Sequence, residues 1–125
     1  MAGFNFHSKP NDDGSSDVVL VLSGDDATGS LSGTFTYKGD VFKVAGNWAA
    51  AGSVADRNFN AMSFSGCDSA SGTVMVAATG TFASTISGGM DMQFNCLRVS
   101  TQNDRQYAWD DVLYASPQDD PGDDI

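Results

Sequence analysis

The residues that could carry out chemistry are few and widely spaced. The chain has 125 residues, with one histidine and two cysteines. His7 is the only imidazole that could act as a base beside a nucleophile, and we expect it to be a surface residue in a polar leader. No Cys-x-x-Cys pair occurs, and one histidine with two distant cysteines does not supply a zinc site. The sequence therefore predicts no catalytic residue, no metal site and no cofactor.

The charge balance limits the classes of partner. Sixteen acidic residues, all of them aspartate, stand against six basic ones, for a net charge of −10. Phosphate binding needs a basic face, so we expect no nucleic-acid partner. No stretch approaches the about 18 apolar residues of a transmembrane helix, so no membrane partner is predicted. Acidity of this kind can steer a chain toward a basic protein partner, and it is also typical of adaptation to salt.

The spacing of apolar residues predicts the fold class. Apolar and polar residues alternate in runs that Gly, Asp, Asn and Ser interrupt, a pattern typical of antiparallel strands joined by short turns. We therefore predict an all-β fold: an antiparallel up-and-down meander of about seven or eight strands forming a small barrel, with a flattened β-sandwich as the alternative. The barrel domain spans residues 17–116, between a flexible polar leader (1–16, with a short edge strand near Phe4) and an acidic disordered tail (117–125).

Three local features are predicted, the first of them a tight hairpin turn at Lys38-Gly39-Asp40. A loop is predicted over residues 50–58, between strands that begin at Val41 and Phe59. A β-bulge is predicted near Cys96, because Leu97 and Val99 have the opposite parity to the apolar residues before them. The start of the chain lacks the charged and apolar segments of a signal peptide, which leaves a cytoplasmic location or secretion of a trimmed chain as alternatives.

The inward-facing residues are large and define a candidate binding site. They either fill the barrel or line a pocket open at one end, in which methionines adapt to an apolar ligand. In a pocket, polar orientation would come from Tyr107 or Asp111; alternatively, Asp111 pairs with Arg98 or Arg57. The apolar contacts would come from Phe35, Tyr37, Trp48, Met90, Met92 and Trp109.

The outward-facing residues are small and mostly hydroxylated, so they could cover a solvated sheet or let a second copy approach closely as a homo-oligomer. They are Ser32, Thr34, Thr36, Ser63, Ser65, Thr79, Thr81 and Asn95. Cys67 and Cys96 either form a disulfide, closing a loop of about 30 residues, or remain separate thiols.

The segment GSLSGTFTYKGDVFKVAGNW (Gly29–Trp48) resembles, in its hairpin rhythm, a hairpin from an avidin-like or other calycin barrel. The pair Trp48 and Trp109 adds to this resemblance. The first strand of an avidin-like barrel would carry a Gly-x-Trp signature, which DVVLVLSG lacks. The resemblance therefore assigns no family and no ligand-binding residue.

Three functions remain open. The first is a non-enzymatic barrel that binds a small apolar or aromatic ligand in its interior or mouth. The second is an acidic protein-interaction or assembly module, such as an inhibitor, an immunity-like partner or a structural subunit. The third is a small barrel isomerase or cyclase that uses Asp111, Tyr107 or Arg98.

Overall fold

Eight antiparallel strands make up most of the described chain. The computed structural model describes residues 2–25, 27–54, 57–84, 90–103 and 105–115, and only the backbone of residues 2, 50–54, 57–59, 83, 84 and 90. The strands are β1 (Ala2–His7), β2 (Val18–Gly24), β3 (Ser30–Tyr37), β4 (Asp40–Val54), β5 (Arg57–Asp68), β6 (Val74–Ser84), β7 (Met90–Ser100) and β8 (Arg105–Ala115). No helix among the described residues has the length and apolar character needed to cross a membrane.

The strands close into a barrel in chain order. Each strand pairs antiparallel with the next, and β1 pairs with β8, so the predicted up-and-down barrel is confirmed. The closing seam is short: Phe6 pairs with Ala115 and His7 with Tyr114. Because the strands alternate in direction, the β1–β2, β3–β4, β5–β6 and β7–β8 connections lie at one end, called the lower end here. The other connections lie at the upper end.

The structure differs from the prediction for residues 1–16. Residues 2–7 are a full member of the barrel, bonded to β2 on one side and to β8 on the other, and not an edge strand of a flexible leader. Phe4 and Phe6 point into the core and are 8% and 1% exposed. This run carries only two large apolar side chains, too few for alternation to separate a strand from a polar leader. The predicted tail, 117–125, lies outside the described residues.

The connection between β1 and β2 is attached to the barrel by a buried serine. Ser8 is 4% exposed. Its hydroxyl accepts a hydrogen bond of 2.9 Å from the backbone N–H of Val18, and its own N–H donates to the carbonyl of Val18 at 3.0 Å. The hydroxyl of Ser16 donates to the carbonyl of Ser8 at 2.9 Å. These bonds satisfy backbone groups where β1 leaves the sheet.

Two local predictions are wrong. The predicted loop over residues 50–58 is largely strand, because β4 continues to Val54 and β5 begins at Arg57, with a register shift between Ala50 and Gly52. The predicted bulge near Cys96 does not occur, since β7 pairs without a register shift on both sides. Leu97 is 39% exposed. The parity changes because Leu97 is an apolar residue on the outer face of the barrel, whereas the periodicity of the sequence predicts that apolar residues face inward.

The β3–β4 hairpin forms where the sequence predicts it. Tyr37 pairs with Asp40, and the two residues between them have positive φ, 48° at Lys38 and 90° at Gly39. Positive φ at both central positions is the type I′ turn, whose twist matches that of the flanking strands. The hairpin places Tyr37 and Asp40 side by side at the lower end.

Side chains occupy the middle of the barrel. Alternate residues from every strand meet in one core, and the largest of those that are fully buried are Phe6, Phe35, Phe42, Phe94, Leu20, Leu22, Met92, Leu113 and Val18. The ring of Phe35 lies 5.6 to 5.9 Å from those of Phe42, Phe94 and Phe64. The interior of the described barrel therefore has the filled-core arrangement, one of the two that the sequence left open.

Candidate functional site

A cluster of aromatic and charged side chains lies at the lower end of the barrel. We call it the lower mouth and define it by Tyr37, Asp40, Arg98, Tyr107 and Trp109. Tyr37 ends β3 and Asp40 begins β4, so the tight turn between them fixes both. Arg98 on β7 pairs directly with Tyr107 on β8, and Trp109 lies two residues farther along β8. Two hairpins, β3–β4 and β7–β8, thus position the cluster.

Tyr37 and Trp109 form an aromatic platform. The two rings stack on each other, with centroids 5.1 Å apart and an interplanar angle of 26°, and both residues are half-buried, so a ligand can stack only on an outer face of the pair. Core rings support the platform from the interior: Phe35 lies 6.5 Å from both platform rings, and Phe94 lies 5.6 Å from Trp109. The platform is a partly solvated aromatic surface held by a rigid core, and planar or apolar ligands stack on such surfaces.

Positive charge lies over the same platform. The guanidinium carbon of Arg98 is 5.8 Å from the ring centroid of Tyr37, and Lys38 Nζ is 5.4 Å from it; both distances fall in the cation–π range. Arg98 Nη2 also contacts Asp40 Oδ2 at 3.6 Å, and the two side chains are 34% and 57% exposed. This separation exceeds that of a charge-assisted hydrogen bond, about 2.7–2.9 Å, so we expect the ion pair to be weak.

Two N–H donors of the lower mouth have no acceptor. Arg98 Nε and Trp109 Nε1 are buried and make no hydrogen bond with any described protein atom. A buried donor without a partner costs about 1–3 kcal/mol. An acceptor atom placed beside these groups would recover that free energy. The lower mouth therefore combines apolar stacking with unsatisfied hydrogen-bond donors.

The structure separates the residues that the sequence grouped into one site. Phe35 and Met92 are core residues, 1% and 0% exposed. Trp48 lies roughly 26 Å farther along β4 than Asp40, toward the upper end, where its ring packs edge-on against Phe4 at 5.0 Å. Trp48 and Trp109 therefore cannot share one ligand site. The side chain of Met90 lies outside the described residues.

The two polar candidates are at the surface. Tyr107 is 60% exposed at the rim of the lower mouth. Asp111 is exposed, and its Oδ1 accepts a 2.8 Å hydrogen bond from the backbone N–H of Val112. Asp111 is therefore not a buried pocket acid. The predicted ion pair between Arg98 and Asp111 is also wrong, because Arg98 pairs with Asp40, and the side chain of Arg57 is not described.

Sequence reasoning gave Arg98 too small a role. The sequence indicates this residue only as an ion-pair partner of Asp111 or as a residue of an isomerase or cyclase site, and it indicates no role for Asp40. Arg98 has the same strand parity as Phe94 and Cys96, which are 1% and 4% exposed. A cation that continues an apolar inward stripe is the signal that could have identified it. Its pairing with Asp40 depends on β3 and β4 lying opposite β7 across the barrel end, which alternation does not show.

The cysteines do not form a disulfide. Both are free, with Cys67 exposed and Cys96 buried. They lie on β5 and β7 with β6 between them, and Cys67 is in register with Val99, three residues from Cys96. Their Cα atoms are therefore about 14 Å apart, whereas disulfide geometry needs Cα atoms within about 7 Å. Burial raises the pKa of the Cys96 thiol to about 11, although the nearby charge of Arg98 partly opposes this. The alternative of two separate thiols is correct.

A second feature is a shallow groove of about 950 Å³ on the outside of the barrel. We call it the outer groove. Two adjacent rows of outward-facing residues cross β4–β8 within it: Ala45, Ser65, Ala77, Leu97 and Ala108 in one, and Asn47, Ser63, Thr79, Asn95 and Asp110 in the other. Asp110 is the sole charged residue in these two rows. The outer groove contains part of the predicted small-residue face; Ser32, Thr34 and Thr36 lie on the adjoining strand β3, where Ser32 pairs with Ala45 at the end of one row.

Comparisons with known proteins identify the fold and no family. No protein-family model matches the chain, and no curated protein matches it. Among solved structures, the chain is similar to one described as the crystal structure of core-bradavidin, with a TM-score of 0.61 and 18% sequence identity over 92% of this chain and 100% of that chain. At this identity the similarity establishes an avidin-like β-barrel fold. The first strand of this barrel, AGFNFH, lacks the Gly-x-Trp signature, as does DVVLVLSG, where the sequence alone places that strand.

Proposed function

We propose that this avidin-like barrel is a non-enzymatic binding protein that holds a small aromatic or apolar ligand at its lower mouth. The observation that carries the proposal is the platform of Tyr37 and Trp109, 5.1 Å apart and only partly buried at the rim. Exposed aromatic rings lose solvated apolar surface when a ligand stacks on them, and burial of that surface drives binding. The fold supports the same proposal, because avidin-like small barrels bind small ligands such as biotin.

The lower mouth is favoured over the interior as the binding position. Phe35 and Met92 fill the centre of the barrel and are at most 1% exposed, so a ligand in the interior would have to displace closely packed side chains. The ligand would instead lie across the rim, with Tyr107 available at its edge. This restricts the broader prediction of a site in the interior or mouth.

The two tryptophans provide a matched test. Trp48 and Trp109 are the only tryptophans in the chain, and they lie toward opposite ends of the barrel. We would titrate small aromatic compounds, with biotin included, while recording tryptophan fluorescence of the Trp48→Phe and Trp109→Phe variants. We expect a saturable change in the Trp48→Phe variant, which retains Trp109. A change seen only when Trp48 is retained would overturn the lower-mouth assignment, and the absence of any change would overturn the proposed function.

The outer groove supports a second candidate function, assembly with another copy of this chain. The chain carries a net charge of −10, so copies repel each other, and they can approach most closely through a face with almost no charge. The two rows of the outer groove have one charged residue, Asp110, and small side chains that permit close contact of two sheets. The groove crosses five strands, about 20 Å in width, and its two rows lie about 7 Å apart, so the patch is far smaller than a standard interface of roughly 800 Å² per partner.

A dimer of this kind should dissociate on dilution. Sedimentation velocity over a concentration series would detect it, and Ala77→Arg, in the middle of the outer groove, should shift the equilibrium to monomer. The matched control is Ser23→Arg, which adds the same charge to the exposed face of β2, on the other side of the barrel. A dimer that persists in Ala77→Arg would place the interface elsewhere. A wild-type chain that is monomeric at every concentration would remove this candidate.

Two other functions remain predictions from the sequence. A basic protein partner would be supported by binding to a defined basic polypeptide that is lost as salt rises, since screening removes long-range attraction. The isomerase or cyclase hypothesis is less well supported, because Asp111 is exposed and bonded to its neighbour's backbone. Asp111→Asn would test it: an activity retained in this variant would exclude the carboxylate as an acid or base.

A further inference from the structure

We infer that the ligand of the lower mouth is an aromatic carboxylate, whose anionic group Arg98 binds while its ring stacks on Tyr37 and Trp109. This inference rests on the proposed function, since it names the class of ligand for the same site.

The position of Arg98 is the first argument. Its strand parity is that of Phe94 and Cys96, both buried in the core. Arg98 therefore continues an apolar inward stripe at the point where the barrel opens. Arginine is rarely placed on such a face without a partner, because removing its charge from water is costly. A cation at this position needs an anion to compensate it.

The partner available within the chain is incomplete. Asp40 reaches one nitrogen of the guanidinium, at 3.6 Å, and its side chain is 57% exposed. A guanidinium presents five N–H donors in a planar fork that fits a carboxylate through two parallel bonds. Arg98 Nε, which is one side of that fork, is buried without an acceptor. A ligand carboxylate would supply the acceptor that Asp40 does not, once the Arg98 side chain turns its covered Nε edge toward the rim.

The neighbouring groups define the rest of the ligand. Trp109 Nε1 is a second unsatisfied donor in the same cluster, and the stacked pair of Tyr37 and Trp109 offers an outer ring face to a planar ligand. A rigid planar ring that bears a carboxylate matches both properties. A purely apolar ligand would stack but would leave both donors without an acceptor, and a small anion would bind the donors without burying the rings.

The charges next to the platform are mainly positive, because Arg98 and Lys38 lie over Tyr37 beside Asp40, although the lower end as a whole also carries Asp12, Asp13, Asp17 and Asp68. Lys9, Lys38 and Arg105 lie at the lower end with Arg98, and Lys38 is already over the platform. Asp13 and Asp68, at the same end, accept hydrogen bonds within their own connections. These bonds direct their carboxylates to groups of the loops.

A matched pair of probes tests the inference without requiring any variant. Naphthalene-2-carboxylate and naphthalene-2-carboxamide have nearly the same shape and differ in charge. Calorimetric or fluorescence titration at neutral pH should show that the wild-type protein binds the carboxylate at least about tenfold more tightly, the usual effect of a hydrogen bond to a charged group. Equal affinities would overturn this inference and leave the proposed function standing. If neither probe binds, both fail.

Variants then assign the preference to Arg98. Arg98→Met, which keeps an apolar stem, should abolish the preference while it retains binding of the carboxamide. The control Arg105→Met removes one positive charge from the same end and should change the preference less than twofold, because a rim charge acts only at long range. Asp40→Asn should strengthen carboxylate binding, since it removes the competing acceptor. A preference that survives in Arg98→Met would show that another group selects the anion.

Discussion

Replacing Phe35 with alanine should destabilise the barrel and open an apolar cavity at its centre. Phe35 is 1% exposed, and its ring lies within 6.5 Å of five other aromatic rings, from Tyr37 to Trp109. No other aromatic side chain in the described core has so many ring neighbours. The substitution therefore removes the group on which the aromatic core and the platform of the lower mouth both pack.

The expected loss can be scaled from these contacts. Phenylalanine-to-alanine changes in cores cost about 3–5 kcal/mol, the sum of lost burial and the cavity that remains. The complete packing around Phe35 favours the upper part of that range. A chain of this size has a stability of roughly 6–19 kcal/mol, so the variant should still fold at 25 °C. Its Tm should fall by about 12–20 °C.

Urea and thermal unfolding of the purified variant would measure this loss. The matched control is Ser32→Ala, an exposed position of the same strand, which should change the free energy of unfolding by less than about 0.5 kcal/mol. A second measurement uses benzene as a probe, because a dry apolar cavity binds such molecules. Benzene should raise the Tm of Phe35→Ala and perturb Trp109 fluorescence, with no comparable effect on the wild type.

Two results would refute this reasoning. A loss below about 1 kcal/mol would show that Phe35 is not closely packed. An equal rise in Tm on addition of benzene to the wild type and to the variant would show that the unmodified barrel already binds an apolar molecule in its interior. The ligand site would then be assigned to the interior and not to the rim.

Three further predictions concern backbone contact, thiol chemistry and a buried hydroxyl. Gly46→Ala should destabilise the protein at least about 2 kcal/mol more than Gly80→Ala, because the new methyl group meets rigid backbone at Gly46 and a flexible methionine at Gly80; equal losses on urea unfolding would contradict this. A thiol reagent at neutral pH should label Cys67 and leave Cys96 unmodified until the chain unfolds. The pKa of Cys96 is about 11 in the folded chain, against an ordinary value of 9.0, so the unfolded chain loses this proton at lower pH than the folded chain does. The free energy of unfolding should therefore fall as pH rises from about 9 to 11. Cys96→Ala should remove this part of the pH dependence of stability. Ser8→Ala should cost about 1–3 kcal/mol, since it leaves a buried backbone N–H without an acceptor; a loss below about 0.5 kcal/mol would show that water replaces the hydroxyl.

Much of the fold could be predicted because strand alternation is a local property. The apolar run that starts at Val18 and the alternation around Phe35 each identify a strand and its inward face without reference to any neighbour. The hairpin at Lys38 and Gly39 is also local, since a two-residue turn constrains only its own backbone. The extension of β4 was missed, and the strand Ala2–His7 was predicted only as a short edge strand, because both backbones are held by pairing with other strands, for which their own composition gives little indication.

The sequence predicted only part of the candidate site. Alternation assigned Tyr37 and Trp109 to the inward face, but it carries no information about height along the barrel. It therefore grouped them with Trp48, which lies toward the other end. The same limitation concealed Arg98 and Asp40, whose contact joins strands that are distant in sequence.

The sequence by itself determined an antiparallel meander, the inward and outward faces of most strands, and a strongly acidic chain with one histidine. These follow from residue types and a period of two, which need no tertiary contact. Only the tertiary structure decided that β1 closes the barrel, that Phe35 fills it, and that Arg98 joins the Tyr37 and Trp109 platform with two donors unsatisfied. Strand order, register and height along the axis are set by pairing across the whole sheet, and that pairing brings side chains from separate hairpins into one site.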